Sequence, residues 1–266
     1  MSRKRKKQMK TVVLIKQVPD TYGRRTLRSD GTIDRDANDL VTDEINERAV
    51  ELALQLKKSA GGDITVLTMG PRSAAESLRS ALAMGGDRAI HINDEGLAGS
   101  DALQTSAALA AAIDSLEFDL IITGNSSTDG RTSAIPAMLA ERLAVPHLTS
   151  LATVAIESGT ITGIRVVEKG TMEVRAQLPA VISVTEKIAE PGFPRLKGIL
   201  AAKRKPLATL SIRDLALSEA ECGASNSWTQ VREVASRPAR AAGIVIIDDG
   251  TAGTQIADFL AAAKLI

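Results

Sequence analysis

Aromatic side chains are nearly absent: Tyr22, Phe118, Phe193, Trp228 and Phe259 are the five in 266 residues. They are too few and too scattered to form a base-stacking platform. Cysteine is as scarce. Cys222 alone excludes an internal disulfide and a thiolate metal cluster, and it fits a reducing compartment. Nothing around it lowers its pKa, so it reads as inert. His91 and His147 have no metal-ligand spacing and read as structural. Charge of one sign is not in excess: 33 Lys and Arg against 32 Asp and Glu leave a net charge of +1, which excludes a chain built to coat nucleic acid. No apolar run reaches the ~18 residues of a membrane span. What is present is 44% hydrophobic residues in a chain long enough for a real core. The expectation is a globular, cytoplasmic protein.

Residues 1–9 carry the run Arg3-Lys4-Arg5-Lys6-Lys7. Like charges in a block repel and stay solvated, so this reads as a disordered basic leader. The apolar stretch Thr11–Ile15 behind it is too short for a targeting peptide. From Lys10 onward, short apolar runs alternate with helix-period stretches. Strands are expected at Thr11–Ile15, Asp63–Met69, Arg88–Ile92 and Phe118–Thr123. Helices are expected at Asp43–Lys58, from Ser73 to Gly85-Gly86, at Asp101–Ser115 and at Thr132–Ala144. Ser73 with Glu76 three residues on reads as a capping box. This alternation implies parallel βαβ units: an α/β, doubly wound, mainly parallel sheet over residues 10–206. After Pro146, Met172, Val174, Ala176 and Leu178 alternate with polar residues, which is the period of a half-exposed strand. It is expected to pair with Thr160–Val167 across a turn at Lys169-Gly170, as an antiparallel hairpin addition. Pro179–Val184 returns to a buried strand. Residues 207–266 are weakly periodic and read as a C-terminal arm packed on another surface, ending in a helix-like segment at Thr254–Leu265.

In an open parallel sheet, ligands bind at the carboxyl ends of the strands. The chemically unusual ends are Lys16–Asp20, Met69–Pro71 and Gly124-Asn125-Ser126-Ser127-Thr128-Asp129-Gly130-Arg131-Thr132-Ser133. The last places glycines and hydroxyls between a buried strand and a helix N-terminus, where backbone amides and the helix dipole favour an anion. Asp129 there has two readings, acceptor from a ribose hydroxyl or helix cap. The same residue types also serve any polar loop, so the loop alone leaves both readings open. Absences narrow the choice. There is no G-x-G-x-x-G and no G-x-x-x-x-G-K-[ST], and the loop has no lysine for a γ-phosphate, so a monophosphate fits better than a dinucleotide or triphosphate. No catalytic set accompanies it, and Ser126 lies in no G-x-S-x-G turn. The segment Glu190–Lys205 sets Phe193 and Leu196 on a stiff Pro/Gly loop beside Arg195 and Lys197. It reads either as a small docking site or as a loop whose Phe and Leu fold back into the core; composition favours the second.

Five stretches together resemble the beta subunit of electron transfer flavoprotein in its actinobacterial form. They are Val12–Asp20, Asp43–Glu51, Ala81–Asp87, Gly124–Gly130, and Leu178–Val184 running into Glu190-Pro191 and Lys197-Gly198. The resemblance covers roughly Lys10 to Lys205, and more loosely the arm. It implies a heterodimer with an alpha subunit that holds most of the FAD, while this subunit keeps structural AMP and has no catalytic residues of its own. The cofactor contacts it implies are Leu14, Asp43, Glu44, Ile45, Asn46, Met69, Gly124, Asn125, Ser126, Ser127, Thr128, Asp129, Gly130, Arg131, Thr132 and Ser133. It implies docking of acyl-CoA and related dehydrogenases through Phe193, Arg195, Leu196 and Lys197, with Leu196 as anchor. Electrons would pass on to a membrane quinone reductase, and the arm would wrap the alpha subunit. Two positions depart from the family pattern. Asp43 stands where many members carry Asn or another amide, and Val166 where members often carry an acid, the nearest here being Glu168. A branch of the family binds a second FAD in this subunit and bifurcates electrons from NADH. That form and a stand-alone adenine-nucleotide sensor are the alternatives; the docking loop and the arm count against the sensor.

Overall fold

The computed structural model describes residues 8–23, 26–235, 238 and 243–266. Most of the leader therefore lies outside the described residues. The first strand, β1 (Met9–Leu14), is β-branched and apolar, and Val12 and Val13 are fully buried. A short pair, β2 (Gln17–Pro19) and β3 (Leu40–Thr42), closes the base of an excursion over residues 20–39. Next come α1 (Glu44–Ala60), β4 (Gly62–Met69), α2 (Ala75–Met84), β5 (Arg88–Ile92), α3 (Ala102–Asp114), β6 (Leu120–Gly124) and α4 (Ile135–Arg142). Then follow β7 (His147–Glu157), β8 (Thr160–Val167), β9 (Gly170–Gln177), β10 (Ala180–Val184), α5 (Leu196–Ala202), β11 (Leu207–Leu210) and α6 (Ala252–Ala262).

Among the described residues, nine strands form one sheet in the order β11-β5-β4-β1-β6-β10-β7-β8-β9. The pairs from β11 to β7 are parallel, and β7-β8-β9 is antiparallel. The α/β doubly wound reading thus holds. Alternate residues of the central strands feed opposite faces, as a two-residue pleat requires. Val13, Ile64, Val66, Ile122 and Ile182 pack with Ala49, Leu52 and Leu82 on the α1/α2 face. Val12, Leu14, Leu67, Ile121 and Val181 pack with Leu109, Ile113 and Leu139 on the α3/α4 face. The chain leaves β1 for β4 and β5 on one side and returns to β6 on the other. The crevice beyond the carboxyl ends of β1 and β6 is therefore the topological switch point.

Several local expectations are corrected. Ser73 does not cap a helix; it lies in a 3-10 turn, Arg72–Ala74, and its hydroxyl donates to Gln17 Oε1 at 2.8 Å. The tertiary partner wins over the local one. The capping box forms instead at Asp101 and Gln104, at the start of α3. The helix expected from Thr132 begins at Ile135, because Arg131 and Ser133 take φ of 51° and 57° and hold the chain off the helical path. Pro136 is then in the first turn, where its missing N–H costs little. The hairpin turn is Glu168-Lys169, one residue earlier than expected, with Gly170 (φ 142°) opening β9. Glu168, the acid nearest Val166, therefore sits at the hairpin tip, beyond the end of β8.

The long strand β7 was not foreseen. Ser150 (φ 58°) and a register shift between Leu151 and Thr153 break its alternation, and the strand changes from a parallel to an antiparallel neighbour along its length. The division of the chain falls at Arg232 and Glu233, not at Leu207. β11 is an edge strand of the main sheet, and Ile212, Leu215 and Cys222 are buried in the α3/α4 core. The second unit, Glu233–Ile266, exposes Ile244, Val245 and Ile247, and its helix α6 exposes Ile256 and Phe259. No helix among the described residues is long and apolar enough to cross a membrane.

Candidate functional site

The switch-point crevice is assembled from the end of β1, the start of α1 and the loop between β6 and α4. Gly124 ends β6 where a side chain has no room. A Cβ there would lie 2.6 Å from Ile45 Cγ2 and 2.9 Å from Asn46 Nδ2. This close approach seats the loop directly against the first turn of α1. Asn46 Oδ1 accepts from the Lys16 N–H at 2.8 Å and the Asp43 N–H donates to the Lys16 carbonyl at 2.9 Å, which joins α1 to the end of β1. Asp43 Oδ2 then accepts from the Thr128 N–H at 2.8 Å and from Thr128 Oγ1 at 3.2 Å. Three elements meet at this one residue.

Asp129 organises the rest of the loop. Its side chain is only 1% exposed; Oδ1 accepts from Lys16 Nζ at 2.7 Å and from the Gly130 N–H at 2.6 Å, and Oδ2 accepts from Arg35 Nη2 at 2.5 Å. Burial pushes its pKa up, but the charge and hydrogen bond of Lys16, with the bonds from Arg35 and Ser127, outweigh burial and hold the carboxyl well below the usual range. Asp129 is thus committed to two cations, and α4 has no side-chain cap. Asp43 goes the other way: burial raises its pKa against the bonds from Thr128.

The residues suit a monoanionic or dianionic group. Among the described residues, the N–H groups of Thr132, Ser133 and Ala134, at the start of α4, donate to no other group. Such amides, interleaved with the positive-φ residues Arg131 and Ser133 just before a helix start, are the kind of donor an anion takes. Lys16 and Arg35 bring two cations to the loop through Asp129, and Arg131 is exposed in the loop itself. The loop lacks a lysine, yet the fold brings Lys16 to it from β1, its Nζ 3.5 Å from Ser127 Oγ. The sequence marks Lys16 only as part of the unusual strand end Lys16–Asp20. Arg35 carries no sequence signal, because it lies in an irregular excursion 94 residues from its partner. No group of three or more His, Cys, Asp or Glu able to hold a metal occurs among the described residues.

Other candidate residues lie at or near this place. Leu14 is buried in β1, Met69 ends β4, Ile45 packs under Gly124, and Glu44 is exposed on the first turn of α1. Asn125 is tied to β10 through its N–H to the Val184 carbonyl at 2.9 Å, and the Arg131 N–H donates to the Ser127 carbonyl at 3.1 Å. His91 is structural as expected: it is buried and its Nε2 lies 3.0 Å from the Gly70 carbonyl oxygen.

The segment Phe193–Lys197 is elsewhere, and its compositional reading is overturned. Phe193 is 99% exposed and Leu196 73%, so neither folds back into the core. The reason is α5, which Gly198 presses onto α2. A Cβ at Gly198 would stand 2.3 Å from the Ala83 carbonyl oxygen. With that face buried, Leu196, Ile199 and Leu200 are left outward. Arg48 ties the root of the loop, donating at 2.8 Å to both the Ala189 carbonyl and Glu190 Oε1. Lys205 closes the other end by donating to the Leu82 and Gly86 carbonyls at the end of α2.

Residues 30–215 match the family described as "Electron transfer flavoprotein domain". The chain is similar to electron transfer flavoprotein subunit beta of Mycobacterium tuberculosis, 48% identical over 96% of this chain and 98% of that one. It is similar to the subunit of the same name from Megasphaera elsdenii, at 34% over 97% of this chain and 100% of the relative. It is also similar to the caffeyl-CoA reductase-Etf complex subunit CarD of Acetobacterium woodii, at 33% over 95% and 96%.

Proposed function

The chain belongs to the electron transfer flavoprotein family, as a beta subunit, and from that premise we propose that it holds AMP at the switch point and docks electron donors through α5. The observation that carries the AMP reading is the cradle of Thr132, Ser133 and Ala134 N–H groups beside Lys16 and Arg35. It offers N–H donors beside two cations, which suits one phosphate better than three. The ligand is structural: Lys16, Asp129, Thr128 and Asp43 tie together the ends of β1, α1 and the β6–α4 loop, and a bound nucleotide fixes them further. FAD, held mainly by the alpha subunit, supplies the electron-accepting chemistry. This chain's share is to enclose that cofactor and to position its donors. The apolar residues exposed on Glu233–Ile266 support the reading of that unit as the arm that packs on the alpha subunit.

Docking follows from α5. Leu196 is an exposed aliphatic side chain at the first position of a helix whose root is pinned, and Arg195 and Lys197 flank it. Such an anchor fits an apolar pocket on an acyl-CoA or related dehydrogenase, with the flanking charges holding register. Reduced flavin then serves a membrane quinone reductase. Leu196→Ala is expected to lower the rate of flavin reduction by a donor dehydrogenase about tenfold or more, with FAD content and heterodimer unchanged. Stopped-flow reduction measures it, and unaltered donor kinetics would remove the anchor role. The same assay tests the carrier reading: an acyl-CoA dehydrogenase with its substrate reduces the heterodimer, and NADH alone does not. Direct reduction by NADH would replace this reading with the bifurcating form.

A further inference from the structure

The docking segment, Glu190–Lys205, is held by two helices, and unequally. At its far end α2 grips it several times. Beyond the Gly198 contact, Arg79 Nη1 donates to the Ala202 and Lys205 carbonyls at 2.7 and 3.1 Å. At its near end there is a single hold. Among the described residues, Arg48 is the only residue whose side chain hydrogen-bonds to any part of residues 186–195. Its Nη1 serves both the Ala189 carbonyl and Glu190 Oε1, each at 2.8 Å. Arg48 stands on a rigid base, since its neighbours Ala49 and Val50 are buried in α1, and its own side chain is 20% exposed. Pro191 follows the hold at once; it has no N–H to donate and keeps Glu190 extended. Among the described residues, Pro191, Gly192, Phe193 and Pro194 make no hydrogen bond. The course of the chain from the core to Leu196 is thus set at its root.

We propose that Arg48 is a positioning residue for electron donation: it fixes the direction in which the segment leaves the core, so that Phe193 and Leu196 meet the donor already in place. The proposal rests on the reading that donors dock through this segment. Arg48 acts through the chain it holds, not on the reacting groups. Its bond to Glu190, whose side chain is 85% exposed, adds little to folding stability. What it supplies is preorganisation. A segment free to swing about its root must be ordered when a donor binds, and that cost falls on affinity. Once the donor is seated, the same contacts form and the transfer step is unchanged. The expected signature is therefore a change in KM without a change in kcat.

The test is steady-state reduction of the heterodimer by an acyl-CoA dehydrogenase with its substrate at saturation. The heterodimer is varied and counted by its bound flavin, which removes any misfolded fraction from both constants. Arg48→Met keeps the apolar stem and removes the hold. It is expected to raise the KM for the heterodimer by about 5- to 20-fold with kcat within about twofold. Pro191→Gly frees the same root without changing any charge, and it is expected to raise KM by about threefold or more. Leu196→Ala is run beside them. An unaltered KM in Arg48→Met, with Leu196→Ala impaired, overturns the positioning role and leaves the docking reading standing. A raised KM in Arg48→Met with none in Pro191→Gly assigns the effect to lost charge and overturns the role as well. Unaltered kinetics in Leu196→Ala overturn the docking reading and this proposal with it. If Arg48→Met yields no flavin-loaded heterodimer, Pro191→Gly decides: a raised KM supports the proposal and an unaltered one overturns it.

Discussion

Gly198→Ala is expected to cost this protein its donors while leaving its nucleotides in place. The added Cβ would stand 2.3 Å from the Ala83 carbonyl oxygen, a backbone atom within α2 that has no rotamer by which to yield. Overpacking of this kind typically costs about 1–3 kcal/mol. The cheapest relief is for α5 to lift off α2, since α5 is only seven residues long and Ala202 is its one buried side chain. Lifting it moves Leu196, Ile199 and Leu200 together. Donor-driven flavin reduction should fall by at least the tenfold expected of Leu196→Ala, and the thermal midpoint of the heterodimer should fall by several degrees. FAD content should not change, because α5 packs on α2, which supplies none of the switch-point residues. A variant with normal donor kinetics would mean that the pose of α5 is irrelevant to docking.

Asp129→Asn is expected to release the nucleotide and destabilise the subunit. An amide has one acceptor oxygen for Lys16 and Arg35 together, and its NH2 would face a cation. Breaking a fully buried pair typically costs 3–5 kcal/mol, but the Lys16 and Arg35 side chains are 40% and 32% exposed, so water screens much of that and about 1–2 kcal/mol is expected. The pH dependence has a definite sign. The folded pKa of Asp129 is depressed, so its contribution is fully present above the unfolded value of about 3.9 and is lost as pH falls from there through the lower folded value. The stability gap between wild type and variant should therefore hold flat from neutral pH to about 5 and close only on stronger acidification. Thermal melts across pH, with nucleotide retention on gel filtration, measure both effects. A gap that closes near neutrality would place the critical titration on another group.

The sheet was legible because its strands are nearly pure apolar runs and its helices are strongly periodic; β1, β4, β5, β6 and β10 needed no tertiary information. The β6–α4 loop was legible for the same reason, as a polar break between two clear elements. The electrostatics of the site were not. Lys16, Arg35 and Asp129 are brought together across up to 113 residues, and no local pattern marks such a meeting. The Ser73 capping box was a local signal overruled by a buried glutamine. Phe193 and Leu196 read inward because apolar residues usually are; what turns Leu196 outward is a glycine on the opposite side of α5, a matter of helix packing that composition does not express. The boundary expected at Leu207 fell short of the packed core because Ile212, Leu215 and Cys222 are spaced among polar residues with no clear period.

The central claim is that the crevice at the ends of β1 and β6 holds AMP in a single-flavin electron carrier. The most direct measurement is to co-express the chain with its alpha subunit, purify and denature the heterodimer, and quantify the released nucleotides by chromatography. The account predicts AMP and FAD in equal amounts, one of each per heterodimer. Two FAD without AMP would contradict it and place a second flavin at the switch point.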